Sequence, residues 1–316
     1  MFAPTSSNTN IIGRRYQLHN LLGQGGMGAV YRAADRLTGQ QVALKRVISP
    51  EDTIEFSSSY NLGDFRLALA QEFKLLASLR HPHVIEVLDY GFDGERQPYF
   101  TMELLEHAKT VLDAGKGRPL ELKIKLIAQM LQALTYLHRR GILHRDLKPA
   151  NVLVIHDEVK LLDFGLSVMR DHAHDDSGAT AGTLAYMSPE VLIGNPATEA
   201  SDLYAVGMIA FELLAEKYPF NLLDIGALVN HVLYSVPDFT SLGVDIPLTM
   251  VLQRLLQKEP PDRYSSANEA LVALSEAVEQ SIPLETVATR ESFLQAARLV
   301  GRETEIDQLS TALIQA

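Results

Sequence analysis

ILHRDLKPANVL, residues 142–153, places His144, Arg145, Asp146, Lys148 and Asn151 within eight residues, between two apolar runs. A solvated loop is not usually framed this way. Twelve residues after Asn151 comes Asp163-Phe164-Gly165, preceded by VKLL (159–162), which reads as a short strand. A carboxylate at Asp163 and an amide oxygen at Asn151, each at a strand end, suit Mg2+. That ion takes hard oxygen ligands together with phosphate oxygens.

A phosphate cradle would be expected upstream, and LLGQGGMGAVYRA (21–33) is the candidate. Gly23, Gly25, Gly26 and Gly28 fall within six positions. Their spacing fits a dinucleotide fingerprint and also the outer frame of a Walker A loop. Walker A needs Lys and Ser/Thr next, but Ala29 and Val30 follow. The dinucleotide fold needs a helix next, but AVYRAAD and GQQVALKRV alternate apolar and polar residues about a Thr38-Gly39 turn. What remains is a glycine-rich hairpin whose backbone N–H groups can cradle phosphates. From the glycines alone, a hairpin with no ligand stays equally open.

VALK (42–45) follows on the next strand. A lysine beneath a glycine flap can reach the α- and β-phosphates, although alone Lys45 reads as a solvated side chain. DFRLALAQEFKLLASLRHP (64–82) has helical period, with Phe65, Leu69, Leu76 and Leu79 on one stripe. Glu72 lies with that apolar stripe and calls for a cation, for which Lys45 is the candidate. Glu55 has no such pattern around it.

The bulk numbers agree with a soluble globular protein. The chain has 316 residues, 47% hydrophobic and 21% charged, which fits one large domain or two lobes. A net charge of −11 argues against general nucleic-acid or anionic-membrane binding. With no cysteine, disulfides and thiolate metal sites are ruled out. MFAPTSSNTN lacks the features of a signal peptide and reads as a disordered tail. LYAVGMIAFELLA (203–215) is too short to span a bilayer and reads as a buried helix.

Taken together, GQGGMGAVY, VALK, HRDLKPAN, DFG, GTLAYMSPE and SDLYAVG stand in one order, and in that order the chain resembles a eukaryotic-like Ser/Thr protein kinase, most closely the bacterial branch. The resemblance runs from about residue 14 to 278. It implies an α+β, bilobal protein-kinase fold. A small, mostly antiparallel β-sheet lobe with one key helix (14–104) would precede a larger, mainly helical lobe (105–278).

By that resemblance Leu22, Gly23, Gly25 and Gly28 close over ATP, Val30 and Ala43 roof the adenine, and Leu153 forms its floor. Lys45, held by Glu72, grips the α- and β-phosphates. FTMELL (100–105) leads to a hinge, with Met102 as gatekeeper and backbone groups of Glu103 and Leu105 on the adenine edge. Asp146 accepts the proton of the substrate hydroxyl, and Lys148 stabilises the transferring phosphoryl group. Asn151 and Asp163 hold Mg2+, with Mn2+ as the alternative. Lys148, two residues after Asp146, is the Ser/Thr form of this loop, and Thr183 is expected to stand near Asp146. Asp202 should accept hydrogen bonds from the catalytic-loop backbone, and Glu190 should pair with Arg263.

Regulation is expected in the segment 163–190. Arg145 would bind a phosphorylated residue there, Thr180 by preference and Ser177 as the second candidate. His172, His174, Asp175 and Asp176 read as a solvated loop, and His81 and His83 as a turn, rather than as metal sites. VISPEDTIEFSSSYNLG (47–63) reads as a surface insertion before the helix that bears Glu72, with a docking or regulatory element as the alternative. A connector (279–297) leads to LVGRETEIDQL (299–309), which resembles the opening of an AAA-like or STAND-type ATPase module. Residues 298–316 are then the truncated start of that module, in a longer multidomain signalling protein.

The expectation is a cytoplasmic enzyme that moves the γ-phosphoryl group of ATP to Ser/Thr of protein substrates. No nucleic acid and no membrane insertion are expected. Related bacterial kinases can pair through their small lobes, which leaves a homodimer through that lobe open. Two rivals stand beside this expectation. One is a pseudokinase-like module that binds nucleotide without transfer. The other is a small-molecule phosphotransferase, against which the SPE segment and Thr183 argue.

Overall fold

The alternation read in AVYRAAD and QVALKRV is carried by two antiparallel strands, β3 (Gly28–Asp35) and β4 (Gln41–Val47). The computed structural model describes residues 11–25, 28–47, 73–94, 97–164, 181–222 and 224–283. Glu72, Gly26, Met27, Ser177, Thr180, the histidines at 172 and 174, the 48–63 insertion and the 298–316 segment lie outside those residues. The chain divides into two compact units. Of the described residues, those up to 79, with 86–106, build the first; 80–85 and those from 107 onward build the second.

The first unit is a six-stranded antiparallel sheet. Its order is β1 (Ile11–Ile12), β2 (Tyr16–Gly25), β3, β4, β6 (Pro98–Glu103) and β5 (Val87–Phe92). Strand side chains alternate between faces, and one face is closed by Ile12, Tyr16, Leu18, Ala33, Val42, Leu44 and Tyr99. A helical stretch, α1 (73–78), belongs to this unit. Its Phe73 is fully buried and meets Phe100 at 5.3 Å and Tyr90 at 5.7 Å. At the sheet margin Arg15 donates to both oxygens of Asp35, at 2.8 and 2.7 Å, and to Asp89 at 2.8 Å. Tyr16 Oη also donates to Asp89. The paired guanidinium, with burial opposing it, holds the Asp35 carboxyl far below the usual carboxylate range.

The second unit is mainly helical. Described helices of five residues or more are α2 (Val111–Gly115), α3 (Leu120–His138), α4 (Glu199–Ala215), α5 (Ile225–Tyr234), α6 (Ile246–Leu255) and α7 (Ala267–Ala277). α3 and α4 are buried along most of their length, and α4 is apolar on nearly every side, as a central helix must be. α4 is the helix expected at 203–215. Ser266 caps α7 by accepting from Glu269 N–H, and Asp224 caps α5 by accepting from Ala227 N–H. A small sheet, β7 (Lys109–Thr110), β8 (Val152–Ile155) and β9 (Glu158–Leu161), stands beside these helices. β8 and β9 flank the loop 142–151 and the aspartate at 163, so one hairpin holds both ends of the chemistry.

Candidate active site

In the first unit, register places the expected nucleotide residues on one face. Val30 lies opposite both Gly23 and Lys45, Ala43 opposite Met102, and Lys45 opposite Phe100. Directly opposed residues share a face, and so do residues two apart on one strand. Val30, Ala43, Lys45 and Met102 therefore form a single surface, on the side away from the Leu18–Leu44 core. Lys45 is only 4% exposed and its ammonium stands 6.0 Å from the Phe100 ring centroid. The solvated-lysine alternative is thereby excluded. Met102 is buried. Glu103 N–H is committed to the Glu86 carbonyl at 3.0 Å. Leu105 follows β6, and Leu22 is exposed on β2.

The glycines are not equivalent. At Gly28 φ is +132°, and an added Cβ would lie 2.0 Å from the Arg46 carbonyl oxygen; at Gly23 it would meet nothing within 4 Å. Gly28 is thus demanded by backbone geometry and Gly23 is not. Gly28→Ala is expected to cost about 1–3 kcal/mol and to raise KM for ATP, whereas Gly23→Ala leaves stability close to wild type. Thermal denaturation of the two variants checks this contrast.

In the second unit, the loop 142–151 brings its charges together. Asn151 Nδ2 donates to the Asp146 carbonyl at 2.8 Å and to Asp146 Oδ2 at 3.0 Å. Lys148 Nζ stands 3.1 Å from the same Oδ2 and 3.4 Å from Thr183 Oγ1. Asp146, Lys148, Asn151 and Thr183 therefore form one cluster. Asp163 reaches it through the backbone, since the neighbouring Leu162 N–H donates to the Asn151 carbonyl. Asp163 (φ +57°) and Arg145 (φ +66°) both hold the left-handed conformation, which is uncommon for residues with side chains and recurs at functional sites. Leu153 lies on β8, on the face opposite Val152 and Val154. With the Asn151 nitrogen engaged by Asp146, its carbonyl oxygen and the Asp163 carboxylate make an all-oxygen donor set. That chemistry fits Mg2+.

A buried carboxylate anchors this loop. Asp202 on α4 accepts from His144 N–H at 2.8 Å, from Arg145 N–H at 2.9 Å, and lies 2.9 Å from His138 Nε2. Burial works against its charge, but the His138 ring and these N–H groups outweigh it and hold its pKa below the ordinary value. Glu190 and Arg263 form a bidentate pair at 2.8 Å, with Ser201 Oγ donating to the same carboxylate. Both anchors are those expected from the sequence. Three partners were not: His138 at the end of α3, Tyr186 Oη donating to Glu212, and Tyr218 Oη donating to the Ala185 carbonyl. No sequence period links these pairs. The only available signal was that buried polar groups need partners.

His81 and His83 are both buried in a turn, where His81 Nδ1 accepts from His83 N–H. Burial lowers the His81 pKa to about 3, so it stays neutral. Among the described residues no group of three or more His, Asp or Glu side chains is placed to hold a metal ion.

Comparison with known proteins follows the same lines. The profile of the family described as protein kinase domain matches residues 16–274. Serine/threonine-protein kinase PknH of Mycobacterium tuberculosis is 34% identical over 272 residues, covering 83% of this chain and 42% of PknH. DNA damage-responsive serine/threonine-protein kinase RqkA of Deinococcus radiodurans is 36% identical over 282 residues, covering 86% of this chain and 40% of RqkA. The chain thus spans about two fifths of the length of these curated relatives. Among solved structures, the M. tuberculosis PknI kinase domain superposes with a TM-score of 0.65 at 26% identity. It covers 87% of this chain and 100% of its own.

Proposed function

The chain belongs to the protein kinase domain family, and from that premise we propose that it transfers the γ-phosphoryl group of ATP to Ser or Thr hydroxyls of protein substrates. The observation that carries this is the cluster of Asp146, Lys148, Asn151 and Thr183. Asp146 takes the proton of the acceptor hydroxyl as its oxygen forms a bond to the γ-phosphorus. The bond from that phosphorus to the β-γ bridging oxygen breaks, and ADP leaves with the electron pair. Lys148 offsets charge on the moving phosphoryl group. Asn151 and Asp163 would hold Mg2+, which when bound neutralises phosphate charge. In the first unit Lys45 and the β2–β3 backbone bind phosphates, and Val30, Ala43 and Met102 present an apolar surface to adenine.

Further points belong to the same reading. Arg145 is exposed and its guanidinium would pair with phosphate on Thr180 or Ser177, ordering the 163–190 segment after autophosphorylation. No helix among the described residues is long and apolar enough to cross a membrane. We place the enzyme in the cytoplasm, a reading with which a chain free of cysteine is compatible. The ATPase-like start at 298–316 and a homodimer through the small lobe remain proposals carried by the sequence resemblance. The test is incubation with labelled Mg-ATP and a basic protein, followed by phosphoamino-acid analysis. Label on serine and threonine supports the reading; label on neither rejects it. Intact mass after the same incubation is expected to show phosphate on the 163–190 segment.

A further inference from the structure

The segment that carries Thr183 runs on through Ala185 and Tyr186 to Ser188. It is held by a set of aromatic side chains to which the phosphoryl-transfer chemistry gives no role. Tyr218 Oη donates to the Ala185 carbonyl. The Tyr218 ring meets Tyr186 edge-on at 5.7 Å and Phe220 at 6.1 Å. Phe220 in turn stacks on His231 of α5, with centroids 5.1 Å apart and planes within 5°. Tyr186 Oη donates to Glu212 on α4. At the other end, Thr183 Oγ1 lies 3.4 Å from Lys148 Nζ. Thr183, Tyr186 and Met187 also line a cleft that reaches Asp146. The segment is therefore gripped at three successive points: Thr183 by Lys148, Ala185 by Tyr218, and Tyr186 by Glu212.

We infer that Tyr218 is a positioning residue for the phosphoryl acceptor: its hydroxyl, through the Ala185 carbonyl, sets where Thr183 stands against Lys148 and hence where an acceptor peptide lies beside Asp146. The inference rests on the kinase reading above. Ala185 follows directly on the short helix Ala181–Leu184, so a side-chain donor is what ties its carbonyl to the rest of the unit. Burial pushes the Tyr218 phenol well above its ordinary pKa. Its hydroxyl therefore stays protonated, and stays a donor, across the working range. A misplacement of about 1 Å can cost roughly a hundredfold in rate.

Tyr218→Phe separates the two roles, because it removes one oxygen and keeps the ring contacts with Tyr186 and Phe220. Steady-state kinetics would compare transfer to an acceptor peptide with ATP hydrolysis in the absence of peptide. The expected result is a fall of about tenfold in kcat/KM for the peptide, with a distinctly smaller fall for hydrolysis. Equal falls in both, or none in either, would overturn the positioning role. Phe220→Leu keeps the hydroxyl but removes the ring it leans on, and should give the same selectivity at smaller size. A wild-type chain that hydrolyses ATP yet transfers to no peptide would remove the kinase reading itself. A wild type that transfers well, with Tyr218→Phe losing both rates together, removes only the role of Tyr218.

Discussion

Asp146→Asn is expected to lower kcat for phosphoryl transfer by about 10²–10⁴-fold, the range for losing a general base, with little change in KM for ATP. The substitution keeps size and shape. An asparagine oxygen can still accept from Asn151, which now donates to Asp146 Oδ2 at 3.0 Å, so the loop should survive. What is lost is a charged acceptor for the hydroxyl proton and the partner of Lys148 Nζ, 3.1 Å away. The face of Val30, Ala43 and Lys45 that we propose for the nucleotide is built on β3 and β4 of the other unit, so ATP affinity should be nearly indifferent. Steady-state kinetics at saturating peptide, with ATP varied, checks both halves of this expectation.

The largest loss of stability is expected at Asp202. Asp202→Ala would leave the His144 and Arg145 N–H groups and the His138 ring without their acceptor, all beside a position that is 2% exposed. Removing one partner from such a buried, charged network costs about 3–5 kcal/mol. Thermal denaturation should register that as a fall in Tm of roughly 6–20 °C, at about 2–4 °C per kcal/mol for a unit of this size. Asp202→Asn, which keeps an acceptor oxygen, should fall between wild type and Ala. The pH dependence has a definite sign. The folded-state pKa of Asp202 is lowered, so its contribution is present above the unfolded carboxylate value, near 4. It is lost as pH falls through the lower folded value. Glu190, lowered by Arg263 and Ser201 against the opposing effect of burial, adds in the same direction. The acid limb of the wild-type stability curve should therefore flatten in Asp202→Ala.

Much of this arrangement was legible in the chain itself. Period-two alternation located β3 and β4, and the run 203–215, too short to span a bilayer, read as the buried helix that it is. The charges of 144–151 stood out because both flanks were apolar, which is unusual for a solvated loop. The roles of Asp202 and of the Glu190–Arg263 pair were legible through the family resemblance, which agrees with the need of a buried charge for partners. The partners that answer it were harder to see. His138 is 64 residues from Asp202, and Tyr218 is 33 from the carbonyl it holds. Such pairs are set by how helices and loops meet in space, and hydrophobic period carries no trace of that. The same is true of Arg15, which lies outside the family match yet ties Asp35 to Asp89. The turn at His156-Asp157, with φ of +51° and +60°, was also hidden. Its geometry usually selects Asn-Gly, and neither residue is present.

The central claim, that this chain moves a phosphoryl group through Asp146, is tested most directly by one comparison. Wild type, Asp146→Asn and Lys45→Ala are each incubated with labelled Mg-ATP and a generic basic protein, and nucleotide binding is measured in parallel. The account predicts label on the protein with wild type alone, together with near-normal ATP binding by Asp146→Asn. Nucleotide binding by wild type without any transfer, even at high enzyme concentration, would contradict it.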